Sequence, residues 1–453
     1  MPQASLSGEV RIELPFAARP SRLVNSELGI DKVTVLGGPT DRWTRQETLL
    51  DAADFRLVRA GIVLTHRVSD GRGDWNLSAP GWHPWLPADR SEPMSDGDLP
   101  DELASLIRPF RRDAPLTPVA ALEVDNWTYA LQSAGERITT VTDKFVTVRS
   151  GGLTTSRFRE VTVGAGLNTE QREWVIEILG LAGGTQVEEF VSLAGRIGAP
   201  ATGRTDFPAP APWDDHSRID VVIGSLLAAR LQMIITADLA LRGGGPADPL
   251  IEQLTAVATE LRGLAPFLRH PSSLPEDYIE IAERLRAADP DEALTVINSG
   301  RHLKALDTLI RSVRAPRLVD GIDTDQPPKA RDAFGGLLER VCLDFVEACD
   351  RLSPESDDEA WQAAVAAGGQ LINSAAITQM IKPKRSKRVR RATKSMLAEL
   401  RQSIIDSSPP EIDRLSPAEA FEAGRSFERA DARRQAARAR AVALWSSLRG
   451  EFR

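Results

Sequence analysis

Thr48-Leu-Leu-Asp-Ala-Ala-Asp-Phe-Arg-Leu-Val-Arg-Ala-Gly-Ile-Val-Leu-Thr-His-Arg67 is the stretch on which the fold turns. Its last third holds Ile62-Val63-Leu64-Thr65, a short β-branched run of the kind that fits a pleated, half-buried surface. Runs of the same kind recur at Val33-Thr34-Val35-Leu36, Ile138-Thr139-Thr140-Val141 and Phe145-Val146-Thr147-Val148. Turn residues bound them: Gly37-Gly38, Asp70-Gly71 and Gly151-Gly152. Many short strands so spaced predict an antiparallel sheet or barrel over residues 1–197. One helix is expected inside it, over 169–182, where Trp174, Ile176, Ile178 and Leu179 alternate with charges.

The grammar changes after that. Residues 198–213 carry four prolines, Gly203 and several alanines, and read as a linker. From 214 to 453 apolar residues recur at spacings of three and four. Helices are expected over 219–241, 250–268, 275–288, 303–313, 330–352, 359–381, 387–406 and 417–448. Breaks fall at Gly243-Gly244-Gly245-Pro246, Asp289-Pro290 and Ser408-Pro409-Pro410. Helices of this number and length predict packed antiparallel bundles. The fold class is therefore α+β, an antiparallel barrel followed by an all-α domain.

Composition narrows the function classes. The chain has 453 residues, 42% hydrophobic and 26% charged, which is globular composition. Its net charge of −8 argues against nucleic-acid binding by the whole chain, though not by one local patch. No charged n-region precedes an apolar run at the start, so no signal peptide is expected, and no uncharged stretch is long enough to predict a membrane span. Cys342 and Cys349 stand two helical turns apart, a spacing that predicts core packing rather than metal ligation. His66, His83, His216, His270 and His302 lack ligand spacing, and the Gly243–Pro246 turn lacks the Lys and Ser/Thr of a phosphate loop. Trp75, Trp82, Trp85 and Trp127 read as core or loop anchors, since no basic residues interleave them. A reducing cytoplasm is the expected compartment.

The quoted stretch resembles the second strand region of CYTH domains, and other segments follow in that family's order. Asp74-Trp75-Asn76-Leu77-Ser78-Ala79-Pro80 is similar to a later strand, and Leu99-Pro100-Asp101-Glu102-Leu103 to a helix start. The second half resembles a CHAD domain, a helical phosphate-binding domain with two internal repeats. Residues 294–309 and the closing Phe421-Glu-Ala-Gly-Arg-Ser-Phe-Glu-Arg429 carry that likeness. The resemblance implies a barrel tunnel in which carboxylates hold Mg²⁺ or Mn²⁺ and Arg and Lys hold a triphosphate. A triphosphate carries about four negative charges, so a desolvated tunnel must supply cations and hard oxygen ligands.

Much of that charge is substituted. The family's E-x-E-x-K motif best matches Ser7-Gly8-Glu9-Val10-Arg11, which lacks the first Glu. Thr65 stands for an arginine while Arg67 remains, Ser78 stands for a lysine, and Arg90-Ser91-Glu92 is intact. Glu123 and Asp125 fall where the family has arginines. Glu160 alone remains of a three-carboxylate ladder, and Val191–Gly195 matches a segment whose two cations are missing. The implied remnant site is Glu9, Arg11, Arg67, Arg90, Glu92 and Glu160, with Glu9 and Glu160 as metal ligands if the tunnel is active. Three readings of it stand: solvated strand residues, an anion site without catalysis, or a reduced triphosphatase. In the CHAD half, residues 251–262 keep only Arg262 of the basic repeat helix, and residues 361–372 keep no cation. With Ala, Gly and Val in those places, the second helix is expected to pack closely against another helix or a partner.

One basic cluster remains. Lys382, Lys384, Arg385, Lys387, Arg388, Arg390, Arg391 and Lys394 put eight cations in thirteen residues. Pro383 can start a helix on which Lys384, Lys387, Arg391 and Lys394 share a face opposite Val389, Met396 and Leu400. Such a run reads as a solvated face, a membrane-surface contact or a polyanion site. The resemblance implies polyphosphate, and association with polyphosphate granules. RNA, DNA or an acidic protein partner fits the charge equally, and this cluster is the one place where nucleic acid is expected. The reading of the whole is a degenerate, non-catalytic polyanion binder, with a metal-dependent inorganic triphosphatase as the alternative.

Overall fold

A computed structural model describes residues 8–19, 22–38, 40–69, 71–94, 97–323, 325–404 and 416–452. Ser7 of the opening motif, Asp70 of an expected turn and the break at 408–410 lie outside the described residues. The chain divides into two compact units, one ending at Asp206 and the other starting at Phe207.

The first unit is an antiparallel sheet with short helices. Its strands are β1 (Val10–Leu14), β2 (Lys32–Val35), β3 (Arg42–Asp51), β4 (Val63–Ser69), β5 (Arg72–Ser78), β6 (Asp89–Pro93), β7 (Thr117–Ser133), β8 (Glu136–Ser150), β9 (Leu153–Val163) and β10 (Thr185–Val187). They pair in the order β10-β1-β9-β8-β7-β3-β4-β5-β6, with β2 also on β7. The expected barrel is not closed: among the described residues, β6 and β10 remain the two ends of the sheet. β6 is short, ends at Pro93 and pairs only with β5, so it offers little ladder for a further strand.

Four helices belong to this unit: α1 (Arg56–Arg59), α2 (Asp101–Arg111), α3 (Thr169–Leu181) and α4 (Leu193–Ile197). Helix α3 starts at a capping box, in which Asn168 accepts from the Gln171 backbone and the Gln171 side chain accepts from the Asn168 backbone. It covers one face of the sheet through Val175 and Leu179, which join Val10, Ile12, Leu14, Val141, Val161 and Val163 in a buried cluster. On the other face, Leu49, Ala120, Leu122, Val124, Val146, Val148 and Phe158 form a second cluster, closed by Val58 of α1 and by Ala201.

The stretch expected as a linker is partly held down. Ala201 is buried in that second cluster. Asp206, 1% exposed, pairs with Arg112 at 2.5 Å and Arg59 at 3.4 Å. A Pro/Ala-rich composition conceals this, because one buried carboxylate is enough to tie such a segment to a surface.

The second unit is helical: α5 (Ile219–Arg242), α6 (Asp248–Leu264), α7 (Leu274–Ala287), α8 (Pro290–Ile297), α9 (Gly300–Arg314), α10 (Ala330–Asp350), α11 (Asp358–Thr378), α12 (Pro383–Gln402) and α13 (Pro417–Leu448). Asp289-Pro290, expected as a break, is also a helix start. Asp289 accepts from the backbone N–H groups of Asp291 and Glu292, and Pro290 supplies the preset first φ of α8. Helix α5 is long and apolar enough to cross a membrane by length and composition alone. Its Asp238 and Arg242 side chains are nevertheless buried and paired at 2.5 Å, with His302 of α9 3.2 Å from Asp238, the arrangement of a core helix. Cys342 and Cys349 are buried free thiols, and burial pushes them up to about 11 and about 12.

Candidate functional site

Strand register decides which side chains meet. Cα partners run Glu13–Glu160–Lys144–Asn126–Trp43 across β1, β9, β8, β7 and β3. The next row on the same face is Phe158–Val146–Val124–Arg45, and the one after it is Val148–Leu122–Glu47–Arg67. Directly paired residues share a face, and residues two apart along a strand repeat it. These rows, apart from Glu13, Asn126 and Val148, line a cavity of about 560 Å³, to which Asp89 and Phe190 also contribute.

The cavity lining combines apolar side chains, Leu122, Val124, Val146 and Phe158, with charged ones. Glu47 lies 3.7 Å from Arg45 and 3.5 Å from Arg67. Glu160 lies 3.8 Å from both Lys144 and Arg196. Arg196, on α4, donates to Glu13 at 2.6 Å and stacks over the Phe158 ring at 4.3 Å. Arg45 stacks on Trp43 at 4.3 Å. The Nε–H groups of Arg45 and Arg196 are buried without a hydrogen-bond partner, and that of Arg67 has only the Glu47 carboxylate, at 3.5 Å. Buried guanidinium donors left unpaired are costly, and an oxyanion is the group that satisfies them in pairs. Burial pushes the Glu160 carboxyl above the usual range, against the pull of Lys144 and Arg196.

Of the residues expected here, Arg67 and Glu160 line this cavity. Glu9 and Arg11 share its face of the sheet but pair with each other at 3.3 Å. Glu9 stands four residues along the strand from Glu13, roughly 13 Å, so Glu9 and Glu160 do not converge. Arg90 and Glu92 do not join the cavity. They alternate with Asp89 and Ser91, whose side chains bond Asn76 at 2.7 and 3.1 Å, and they face Leu77 and Trp75 on the opposite side. There Arg90 pairs with Glu92 at 2.6 Å and with Glu102 of α2. Glu123 and Asp125 also turn away: Glu123 pairs with Arg149 and Asp125 accepts from Thr44, while the inward positions are Leu122 and Val124. The inward places of this part of β7 are therefore apolar.

Sequence reasoning missed Arg45, Lys144 and Arg196. Arg196 follows the segment 191–195 by one residue, so a one-place shift would have found it. The carboxylates do not suit a divalent ion. Glu13, Glu47 and Glu160 each sit against a guanidinium or ammonium, and no group of three or more His, Cys, Asp or Glu stands ready for a metal among the described residues.

The second candidate lies on α12. Its buried side is Ser386, Val389, Ala392, Thr393, Met396, Leu397 and Leu400, the 3.6-residue stripe of an amphipathic helix. Against its opposite side lies a cavity of about 750 Å³ lined by Lys384, Lys387, Arg388, Arg390, Arg391 and Lys394 with Gln379 and Ser395, and by no carboxylate. Arg385 leans away to Glu339 at 3.3 Å, and Arg388 reaches Glu451 at 3.9 Å. Lys384, Lys387, Arg391 and Lys394 are exposed and have no ion-pair partner among the described residues. Lys382 is exposed at the helix cap.

No family profile and no curated protein matches the chain. Among solved structures, a candidate adenylate cyclase from Bacillus halodurans is 15% identical, covering 36% of this chain and 95% of its own, at a TM-score of 0.22. A protein from Pyrococcus horikoshii is 10% identical, covering 40% of this chain and 91% of its own, again at 0.22. Likeness this slight speaks to neither activity nor substrate.

Proposed function

We propose that the chain is a non-catalytic binder of linear phosphate polymers, held chiefly by α12, with inorganic polyphosphate as its ligand. The observation that carries this reading is the groove of six cations and no carboxylate in a protein of net charge −8. Like charges at helical spacing repel. A polyanion with regular charge spacing relieves that repulsion and releases its own counterions. The CHAD resemblance of the sequence points to the same ligand, and association with polyphosphate granules would follow from it.

The sheet cavity supports a second, smaller role, the reception of a short phosphate chain or chain end. What favours it is the pair of unpartnered buried Nε–H groups on Arg45 and Arg196, with Arg67 beside Glu47. The reading stops short of hydrolysis, because the acids there are engaged with cations rather than gathered for a metal.

Polyphosphate binding measured across a salt series tests both roles. Six engaged cations predict a slope of about −4 in log K against log salt, by ~0.7 per contact. The triple variant Lys384→Ala/Lys387→Ala/Arg391→Ala should lower that slope by about 2. An unchanged slope sinks the α12 site. Tripolyphosphate turnover with Mg²⁺ or Mn²⁺ at about 1 per second or more sinks the non-catalytic reading in favour of a triphosphatase.

A further inference from the structure

We propose that the N-terminal half of α13 is the seam of a homodimer, in which two copies of this helix pair antiparallel. Helix α13 runs 32 residues, and its buried residues are Ala437, Arg438, Ala441 and Trp445, all in its second half. Pro417 to Ala436 contains none, yet spans about 30 Å of helix. A single helix of this length is marginal in water unless an amphipathic face is packed. Among the described residues, the ion pairs of that half are Arg425–Glu422 and Arg434–Asp431 within the helix, and Arg434 also reaches Asp358 of α11.

The seam is continuous with an interface already formed. Ala420, Ala423, Phe427, Ala430, Arg434, Ala437 and Ala441 follow one another at alternating spacings of three and four, the repeat of a coiled-coil stripe. Ala437 and Ala441 are buried, while Ala420, Ala423, Phe427 and Ala430 are half-exposed on the same line. A second copy running antiparallel fits these positions by size and by charge. Centred near residue 425, the pairing sets Phe427 against Ala423 of the other copy, large opposite small, and Ala420 against Ala430. On one flank Gly424 then meets its own counterpart, where the absence of a side chain permits close approach. On the other flank Glu419 of one copy meets Arg433 of the other, twice by symmetry. Parallel pairing would instead set Phe427 against Phe427 and leave Glu419 beside Gly424, without a cation.

Sedimentation equilibrium on the full chain reads the outcome. A dimer is expected, and Phe427→Glu should give a monomer with the same helical circular dichroism. Arg433→Glu should weaken the dimer about tenfold by setting two pairs of like charges together, and adding Glu419→Lys should restore it. Glu419→Lys also removes the carboxylate that accepts from the Ser416 hydroxyl and backbone N–H in the capping box, so the single Glu419→Lys variant is measured alongside, with helical circular dichroism reading the loss of the cap. A monomeric wild type, a dimer that survives Phe427→Glu, or a double variant no tighter than Arg433→Glu each overturns the proposal.

Discussion

Asp51, in the middle of the stretch that opens the sequence argument, shows how one residue sets a local structure. Its side chain is fully buried and accepts from the backbone N–H groups of Ala52 at 2.6 Å, Leu57 at 3.0 Å and Val58 at 2.9 Å. Those bonds fasten the turn and α1 between β3 and β4, the strands that carry Arg45, Glu47 and Arg67 to the cavity. Asp51→Ala strands three donors and should cost about 3 kcal/mol in denaturant unfolding, whereas Asp51→Asn keeps one acceptor and should cost less. Burial raises the Asp51 carboxyl, against the three N–H bonds. A raised folded-state value means that the folded protein holds this proton more tightly than the unfolded chain. Asp51 therefore adds stability below its ordinary range and loses it as pH rises through the raised value. The stability of the wild type relative to Asp51→Asn should grow as pH falls from 7 to about 4. A gap that shrinks over that interval refutes the assignment.

Elements were legible where periodicity was strong, and their faces were not. The helices of the second half follow their apolar spacing closely, because a buried stripe every 3.6 residues leaves little choice. Strand faces have period two, so a one-residue slip turns a side chain inside out. That is why Arg90 and Glu92, intact as a motif, face α2. Helix α11 packs through Trp361, Ala364, Gly368 and Leu371, and not through the neighbouring Gly369. A Cβ on Gly368 would lie 2.8 Å from Leu397 and 2.9 Å from Phe345, and one on Gly263 of α6 would lie 2.7 Å from the Asn373 carbonyl oxygen. Nothing stands within 4 Å of the same atom on Gly369. Opposite signs follow from these spaces. Gly263→Ala forces α6 off α11 and should destabilise by about 1–3 kcal/mol, while Gly369→Ala gains about 0.5–1 kcal/mol of helix propensity. Thermal unfolding of the two variants checks both, and equal shifts would mean that the close approach of α6 and α11 does not matter.

At the scale of the whole molecule, the chain divides into two compact units, and Asp206 marks where the first one ends. Its carboxylate is buried with Arg112 and Arg59, whose side chains are 5% and 9% exposed, so this last residue of the sheet unit is a closing clasp. Removing it leaves two guanidinium groups in a poorly solvated place, a loss of about 3 kcal/mol when a buried pair is broken. Local opening free energies belong to cooperative segments and not to the chain as a whole, so the loss is expected in the elements that Arg59 and Arg112 tie down. Asp206→Ala in the full chain should therefore speed amide exchange about a hundredfold across β3, β4 and α2, while α5 to α12 keep wild-type protection. Exchange quickened equally in both units would show that they unfold as one, and that the clasp belongs to the molecule rather than to the sheet.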